Sequence, residues 1–260
     1  MPVANEASGA TRRQKVENAL PAVGRLRIVD ATRGVAIVLM IAYHFSFDLA
    51  FFGALRADFN NDPFWLGSRS LIVTLFVGLV GVSLALSSGR GAGRASFWKR
   101  QARIGACALL VSIASWWMFP GTFIFFGILH FIFVASLLGG ALLRFATPAA
   151  AIGALGAVAL AGGIFFSSPM FDAAPMQWLG LMTRKPATED YVPLLPWIGV
   201  VFLGIAAGQL AARSPAVSSW LASQDRLAFT PLAWMGRHSL AIYMLHQPVL
   251  LGMLFLFLGK

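Results

Sequence analysis

The stretch RLRIVDATRGVAIVLMIAYHFSFDLAFFG, residues 25–53, predicts the first membrane-spanning helix of this chain. Two ionisable side chains, Arg33 and His44, interrupt its apolar run. At about 100° per residue, their spacing places them on one face of a helix, about 16 Å apart along its axis. Ionisable groups inside a membrane span are costly and commonly functional, so this pair is the first candidate site.

The composition of the whole chain indicates an integral membrane protein. Its 260 residues are 58% hydrophobic and 12% charged, whereas soluble domains carry about 25% charged residues. The net charge of +10 does not indicate nucleic-acid binding, because the basic residues fall between apolar runs, as they do in membrane proteins. The single cysteine, Cys107, excludes a disulfide within the chain.

Seven apolar segments are long enough, or nearly so, to cross a hydrocarbon core of about 30 Å. They predict an all-α, polytopic membrane bundle of about seven transmembrane helices over residues 25–260, preceded by a disordered cytoplasmic tail over residues 1–24. A small-xxx-small pair, Gly204 and Gly208, predicts close helix packing in the sixth span. The predicted spans are residues 28–52, 64–87, 104–119, 122–143, 148–166, 194–212 and 232–258.

The distribution of Lys and Arg predicts the orientation. If the N-terminus is cytoplasmic, fifteen of the 20 basic residues lie on the inner side of the membrane. An excess of this size in cytoplasmic loops is the positive-inside pattern. The prediction is therefore that the N-terminus is inside and the C-terminus outside. The last span is expected to begin with a partly interfacial helix near Pro231.

His44 has a carboxylate, Asp48, one helical turn further along the same face. A carboxylate at this spacing can hold an imidazole in one tautomer and raise its basicity, as in hydrolytic and acyl-transfer sites. The alternative is that both groups only make hydrogen bonds that hold the helices together. We favour the functional interpretation because both groups lie inside a membrane span.

Arg33 lies three residues after Asp30, so the two side chains can pair. The spacing alone is equally compatible with Arg33 as an anchor whose charge reaches the cytoplasmic membrane surface. The predicted inner surface is strongly basic. It would suit a polyphosphate such as coenzyme A, although anionic phospholipid headgroups account for the same charges. The basic residues of this surface include Arg27, Arg33, Arg100, Arg103 and Arg237.

Two more histidines, His130 and His246, lie in apolar segments and are possible supporting groups. Near His246, the polar side chains of Gln247 and Tyr243 are candidates for stabilising an oxyanion. Acidic ligands are scarce at this depth and no pair of histidines is spaced i, i+4, so no metal site is predicted.

Four stretches in one order carry a family resemblance: the first span, FIFFGILHFI at 123–132, DYVPLLPWIGVVFLG at 190–204 and GRHSLAIYMLHQPVL at 236–250. They resemble the DUF1624 proteins, bacterial relatives of the catalytic domain of heparan-alpha-glucosaminide N-acetyltransferase. The spacing of Arg33 and His44 is also similar to the Arg-x10-His motif of the acyltransferase-3 family.

The resemblance implies a multi-pass acyltransferase of the bacterial inner membrane. Such a protein would move an acetyl group from cytoplasmic acetyl-CoA to an amine or hydroxyl of an envelope glycan or similar acceptor on the outer side. Its partners would be acetyl-CoA, the acceptor and membrane lipids, with no nucleic acid. The alternative is a transporter or flippase for a small or lipid-linked substrate, with buried histidines as a proton relay.

The resemblance also implies roles for residues. His44 would be the catalytic base, and Arg33 would help to place or orient the donor. The residues themselves add two expectations, that Asp48 orients His44 and that Arg237 holds the donor's phosphates together with Arg33. The role of His44 comes from the acyltransferase-3 motif, because the lysosomal enzyme has its catalytic histidine further along. His130 and His246 match family positions without an assigned role.

Overall fold

The computed structural model describes residues 26–89, 93–225 and 229–258, and this part of the chain is helical without strands. The predicted tail, residues 1–24, lies outside the described residues. Two short 3-10 helices, Pro169–Asp172 and Ala174–Leu179, lie between α5 and α6. The α-helices are α1 Arg27–Phe51, α2 Pro63–Gly89, α3 Arg94–Met118, α4 Ile128–Arg144, α5 Ala149–Phe165, α6 Leu194–Arg213, α7 Pro215–Asp225, α8 Thr230–Arg237 and α9 Ser239–Leu258.

The apolar helices confirm that this is an all-α membrane protein. In the described part of the chain, α1, α2, α6 and α9 are long and apolar enough to cross a membrane. Two shorter apolar helices, α4 and α5, have 17 residues each. The remaining predicted span corresponds to α3, which begins ten residues earlier than predicted. The prediction followed the apolar run and so missed the first turns of the helix, which are polar and basic. The number of spans and the orientation stay predictions.

The fourth predicted span starts too early, since the chain does not become helical until Ile128. The residues before it fold back onto α3. The Ile124 N–H donates to the Ser115 hydroxyl (2.9 Å), and the Ile124 carbonyl accepts from the Ser112 hydroxyl (2.6 Å). These side-chain partners replace the helical hydrogen bonds that Ile124 would otherwise make.

The last predicted span consists of two helices, α8 and α9, as the expected interfacial start near Pro231 indicated. Helix α8 packs across the start of α1 with the two backbones in contact. A Cβ atom at Gly236 would meet the Asp30 carbonyl, and one at Gly34 would meet the backbone of Leu232. Only glycine permits so close an approach, so these two residues set how α9 enters the bundle.

A second close contact joins α2 to α6, and α6 also packs against α5. At Gly204 a Cβ would meet the carbonyl of Gly78, and at Gly208 it would meet Ala85 and Val82. The predicted small-xxx-small packing is therefore confirmed. The core around this contact includes the buried side chains of Val77, Phe131, Val201 and Ile205.

Replacing Gly204 with Ala is expected to lower the free energy of unfolding by roughly 1–3 kcal/mol, because the added methyl must push two backbones apart. Gly67→Ala in α2 is the matched control, since a Cβ there meets nothing within 4 Å. Thermal unfolding of the two variants in the same detergent measures the difference. Equal unfolding temperatures of the two variants would show that the close contact between α2 and α6 does not contribute to stability.

Candidate functional site

A cavity of about 1820 Å³ runs through the bundle between α1, α2, α3, α4 and α9. Arg33 lines it at one end, and His44 lines it deeper in the bundle. The two residues predicted to form one site from their spacing on α1 therefore face a common cavity. At the opposite end from Arg33, its lining includes Asn60, Arg69 and Lys185.

The end near Arg33 is strongly basic. Its cations come from the starts of α1 and α3 and the ends of α4 and α8, which the packing of the helices brings together. The Arg100 guanidinium donates to the Ser136 hydroxyl (3.4 Å). Such a cluster suits a polyphosphate, because guanidinium groups match phosphate oxygens in geometry and charge. The arginines lining this end are Arg33, Arg94, Arg100, Arg103, Arg144 and Arg237.

Arg33 has a structural role in the wall of this cavity. Its guanidinium pairs with Asp30 (2.9 Å), as the spacing allows, and donates to the Ser83 hydroxyl (2.6 Å) and the Gly236 carbonyl (3.5 Å). These partners lie on α1, α2 and α8. The side chain therefore joins three helices at the basic end of the cavity.

His44 meets a second histidine, His246, across the contact between α1 and α9. The ring centroids are 4.9 Å apart, with the planes inclined by 69°. The Nδ1 atom of His44 lies 2.9 Å from the Met40 carbonyl, and that of His246 lies 2.6 Å from the Tyr243 carbonyl. A carbonyl only accepts, so each Nδ1 carries the hydrogen and each neutral ring offers its Nε2 lone pair as a base.

Asp48 does not hold the imidazole of His44 in this structure, which corrects the predicted arrangement. Its Oδ1 accepts from the Gln247 side-chain amide (2.9 Å), and the residue is only 2% exposed. The Met40 carbonyl fixes the tautomer of His44 instead. Within the described residues, Asp48 Oδ2, Gln247 Oε1 and His246 Nε2 are buried without a hydrogen-bond partner. Three such atoms beside the histidine pair mark a place where a polar ligand or water would be stabilised.

The segment before α4 and the segment before α6 form hydrogen bonds with each other and bring a carboxylate into the cavity. The Glu189 N–H donates to the Thr122 carbonyl (3.0 Å), and the Val192 N–H donates to the Phe126 carbonyl (3.3 Å). Between these two contacts lies Asp190, whose side chain lines the cavity.

Asp190 holds the start of α4 and the side of α9. Its Oδ2 accepts from the Ile128 N–H (2.9 Å) and from the Tyr243 hydroxyl (3.3 Å). Burial raises the pKa of the Asp190 carboxyl, and these two hydrogen bonds oppose the rise. The sequence alone does not single out Asp190 for this role, since nothing in DYVP distinguishes it from the neighbouring Glu189.

His130 is a structural histidine, although the sequence placed it at a depth similar to the other two. The Gly127 N–H donates to its Nδ1 (3.3 Å), so the hydrogen of the neutral ring is on Nε2. Nε2 lies 3.1 Å from the Ser112 hydroxyl and donates to it, and that hydroxyl in turn donates a hydrogen bond to the Ile124 carbonyl. Both ring nitrogens are therefore occupied in joining α3 to α4.

The far end of the cavity carries both signs of charge, since Glu189 lines it together with Arg69 and Lys185. Burial and the neighbouring Arg69 lower the pKa of Lys185, and Asp190 opposes that effect. Both cations line the cavity beyond the histidine pair. The cavity therefore has cations at both ends and bases and carboxylates between them.

The fold and the cavity define a helical membrane protein with a polar site enclosed among apolar helices. The family model described as heparan-alpha-glucosaminide N-acetyltransferase, catalytic, matches residues 25–248. The chain therefore belongs to this family, as its motifs indicated. The family is one of membrane acetyltransferases. Comparison with curated proteins gave no match, and comparison with solved structures gave none.

Replacing His130 with Ala is expected to lower the free energy of unfolding by about 1–3 kcal/mol, because the Gly127 N–H and the Ser112 hydroxyl lose their partner. Ser112→Ala should lower the free energy of unfolding less in the His130→Ala variant than in the wild-type protein, since the two side chains belong to one hydrogen-bond network. Thermal unfolding of the single and double variants measures this coupling. Strictly additive losses would contradict it.

Proposed function

We propose that the protein transfers an acetyl group from acetyl-CoA to an amine or hydroxyl acceptor within this cavity. The observation that carries the proposal is that one cavity joins a cluster of arginines to a pair of histidines whose Nε2 atoms are bases. Membership of the acetyltransferase family supports the same reaction.

The donor binds at the basic end. Its phosphates lie among Arg100, Arg103 and Arg237, and Arg33 shapes the wall beside them. The pantetheine arm spans roughly 15–20 Å by chain-reach reasoning, close to the separation of about 16 Å between Arg33 and His44 along the helix. The thioester then lies level with the histidine pair.

His44 acts as the general base. Its Nε2 takes the proton of the acceptor as the acceptor's nitrogen or oxygen attacks the thioester carbonyl carbon. The tetrahedral intermediate collapses with cleavage of the carbon–sulfur bond, and the coenzyme A thiolate takes the proton from His44. Gln247 supplies an oxyanion donor, since an amide nitrogen has two hydrogens and only one is directed at Asp48. Tyr243 supports the same region through Asp190.

The sidedness follows from the positive-inside pattern. With the N-terminus inside, the basic end of the cavity opens to the cytoplasm and the end with Arg69 and Lys185 lies on the outer side. Cytoplasmic acetyl-CoA and an envelope glycan or similar acceptor then reach the histidines from opposite sides of a bacterial inner membrane. No metal is required for this chemistry.

A transporter or flippase with a histidine relay would use the same pair of rings. The two functions differ in their dependence on the donor. Purified protein in liposomes should transfer radiolabelled acetyl from acetyl-CoA if it is a transferase. Proton-driven uptake of a solute without acetyl transfer would favour the transporter.

Replacing His44 with Ala is expected to abolish acetyl transfer, because the acceptor loses the base that removes its proton. The protein should still insert and unfold near the wild-type temperature. His238→Ala is the matched control, since His238 is exposed and does not line the cavity. Acetyl incorporation by the two variants measures the effect, and full activity of His44→Ala would remove this residue from the mechanism.

Replacing Arg100 with Gln is expected to raise the KM for acetyl-CoA roughly tenfold or more, because a charge-assisted hydrogen bond to a phosphate contributes about 1.5–3 kcal/mol. Lys99→Gln is the control, since Lys99 is an exposed cation on the same turn that does not line the cavity. Donor titrations of the two variants test the assignment. Equal shifts would indicate a general effect of surface charge.

A further inference from the structure

The cavity has to hold both the donor and the acceptor, and its volume is about 1820 Å³. Much of its middle is lined by apolar side chains. Those on α3 include Leu110, Ala114 and Met118, which are four residues apart and share one face of the helix.

The opposite wall of this apolar section comes from α1 and α9. It contains Phe47 and Phe51 from α1 and Leu251 and Phe255 from α9. Helix α3 packs against α4, whereas α9 packs against α1 and α8, and the cavity lies between these two groups of helices.

The apolar side chains at this point line the cavity without being buried. Leu110 is 56% exposed and Met118 is 62% exposed on one wall. On the other wall, Phe51 is 70% exposed and Phe255 is 53% exposed. Exposed apolar side chains are ordinary on membrane helices, but here they flank two helices, α3 and α9, that do not pack closely against each other within the described residues. The cavity is therefore not closed by helix packing on this side.

Leu110, at one edge of this gap, is level with the histidine pair. Leu110 lies 16 residues after Arg94, the first residue of α3, and His44 lies 17 residues after Arg27, the first residue of α1. Both helices start at the basic end of the cavity, so each residue lies about 24–26 Å from that end. The apolar section therefore begins level with the bases at Leu110 and extends to Met118 and Phe51, about 10–12 Å nearer the far end of the cavity.

We infer that the acceptor carries a hydrocarbon chain and enters through the opening between α3 and α9. This inference rests on the proposed acetyl transfer. The acceptor's polar head reaches the histidines, where Asp48, Gln247 and His246 present unpartnered polar atoms. Its chain stays among Leu110, Met118 and the facing aromatic rings, so it never leaves an apolar environment.

A water-soluble acceptor would need no such opening, because it would approach from the aqueous side, past Arg69 and Lys185 in the cavity lining. Ordinary bilayer lipids would also cover the exposed side chains without taking part in the reaction. In both of these cases the protein would not prefer an acceptor with a hydrocarbon chain, whereas our inference predicts such a preference.

The test uses purified full-length protein in liposomes, radiolabelled acetyl-CoA and three probes: glucosamine, octyl glucosaminide and dodecyl glucosaminide. All three offer the same amine and ring hydroxyls. We expect kcat/KM to rise at least tenfold from glucosamine to the dodecyl probe. Equal use of the three would overturn the inference while leaving acetyl transfer intact. Absence of transfer to all three would contradict the proposed function itself.

Matched variants separate entry through the opening from simple partitioning of the alkyl probes into the membrane. Leu110→Trp narrows the opening, whereas Leu109→Trp changes a neighbouring leucine that is 60% exposed and does not line the cavity. We expect Leu110→Trp to lower the preference for the dodecyl probe at least fivefold and Leu109→Trp to preserve it. Equal behaviour of the two variants would show that the chain does not pass between these helices.

Discussion

The backbone contact between α1 and α8 at Gly34 and Gly236 determines how the site is assembled. Helix α8 ends two residues before α9 begins, so the position of α8 on α1 sets the register of α9. That register places His246 against His44 and Gln247 against Asp48. Arg33 reinforces the same junction by donating to the Gly236 carbonyl and to Ser83 on α2. A side chain at either glycine would move α9, and the paired histidines would separate.

Hydrogen-bond direction distinguishes the histidines more sharply than depth in the membrane does. A backbone N–H donates to His130, so its ring must donate through Nε2, and both nitrogens are used. Backbone carbonyls accept from His44 and His246, which leaves Nε2 of each ring as a base. The same residue type thus stabilises the link between α3 and α4 in one place and offers a proton acceptor in another, because its backbone partner differs.

Much of the fold was predictable because its causes are local. Runs of apolar residues specify where helices lie, and the spacing of Asp30 and Arg33 allows an ion pair within one helix. Gly204 and Gly208 indicated close packing because small residues allow helix backbones to approach. The predictions that were wrong concern residues whose hydrogen-bond partner lies on another element. Ile124 gives up helical hydrogen bonds for serines on α3, and Asp48 pairs with α9 instead of its own helix.

Sequence alone was sufficient to establish an all-helical membrane protein and to find Arg33 and His44 as candidates, because periodicity and the energetic cost of charge in hydrocarbon act along a single helix. The family motifs likewise depend only on the order of residues. The pairing of His44 with His246, the role of Asp190 and the cavity that joins them required the tertiary structure. Each depends on which helices touch and in what register, and that is decided by contacts between residues far apart in the chain, such as Gly34 with Leu232 and Asp190 with Ile128.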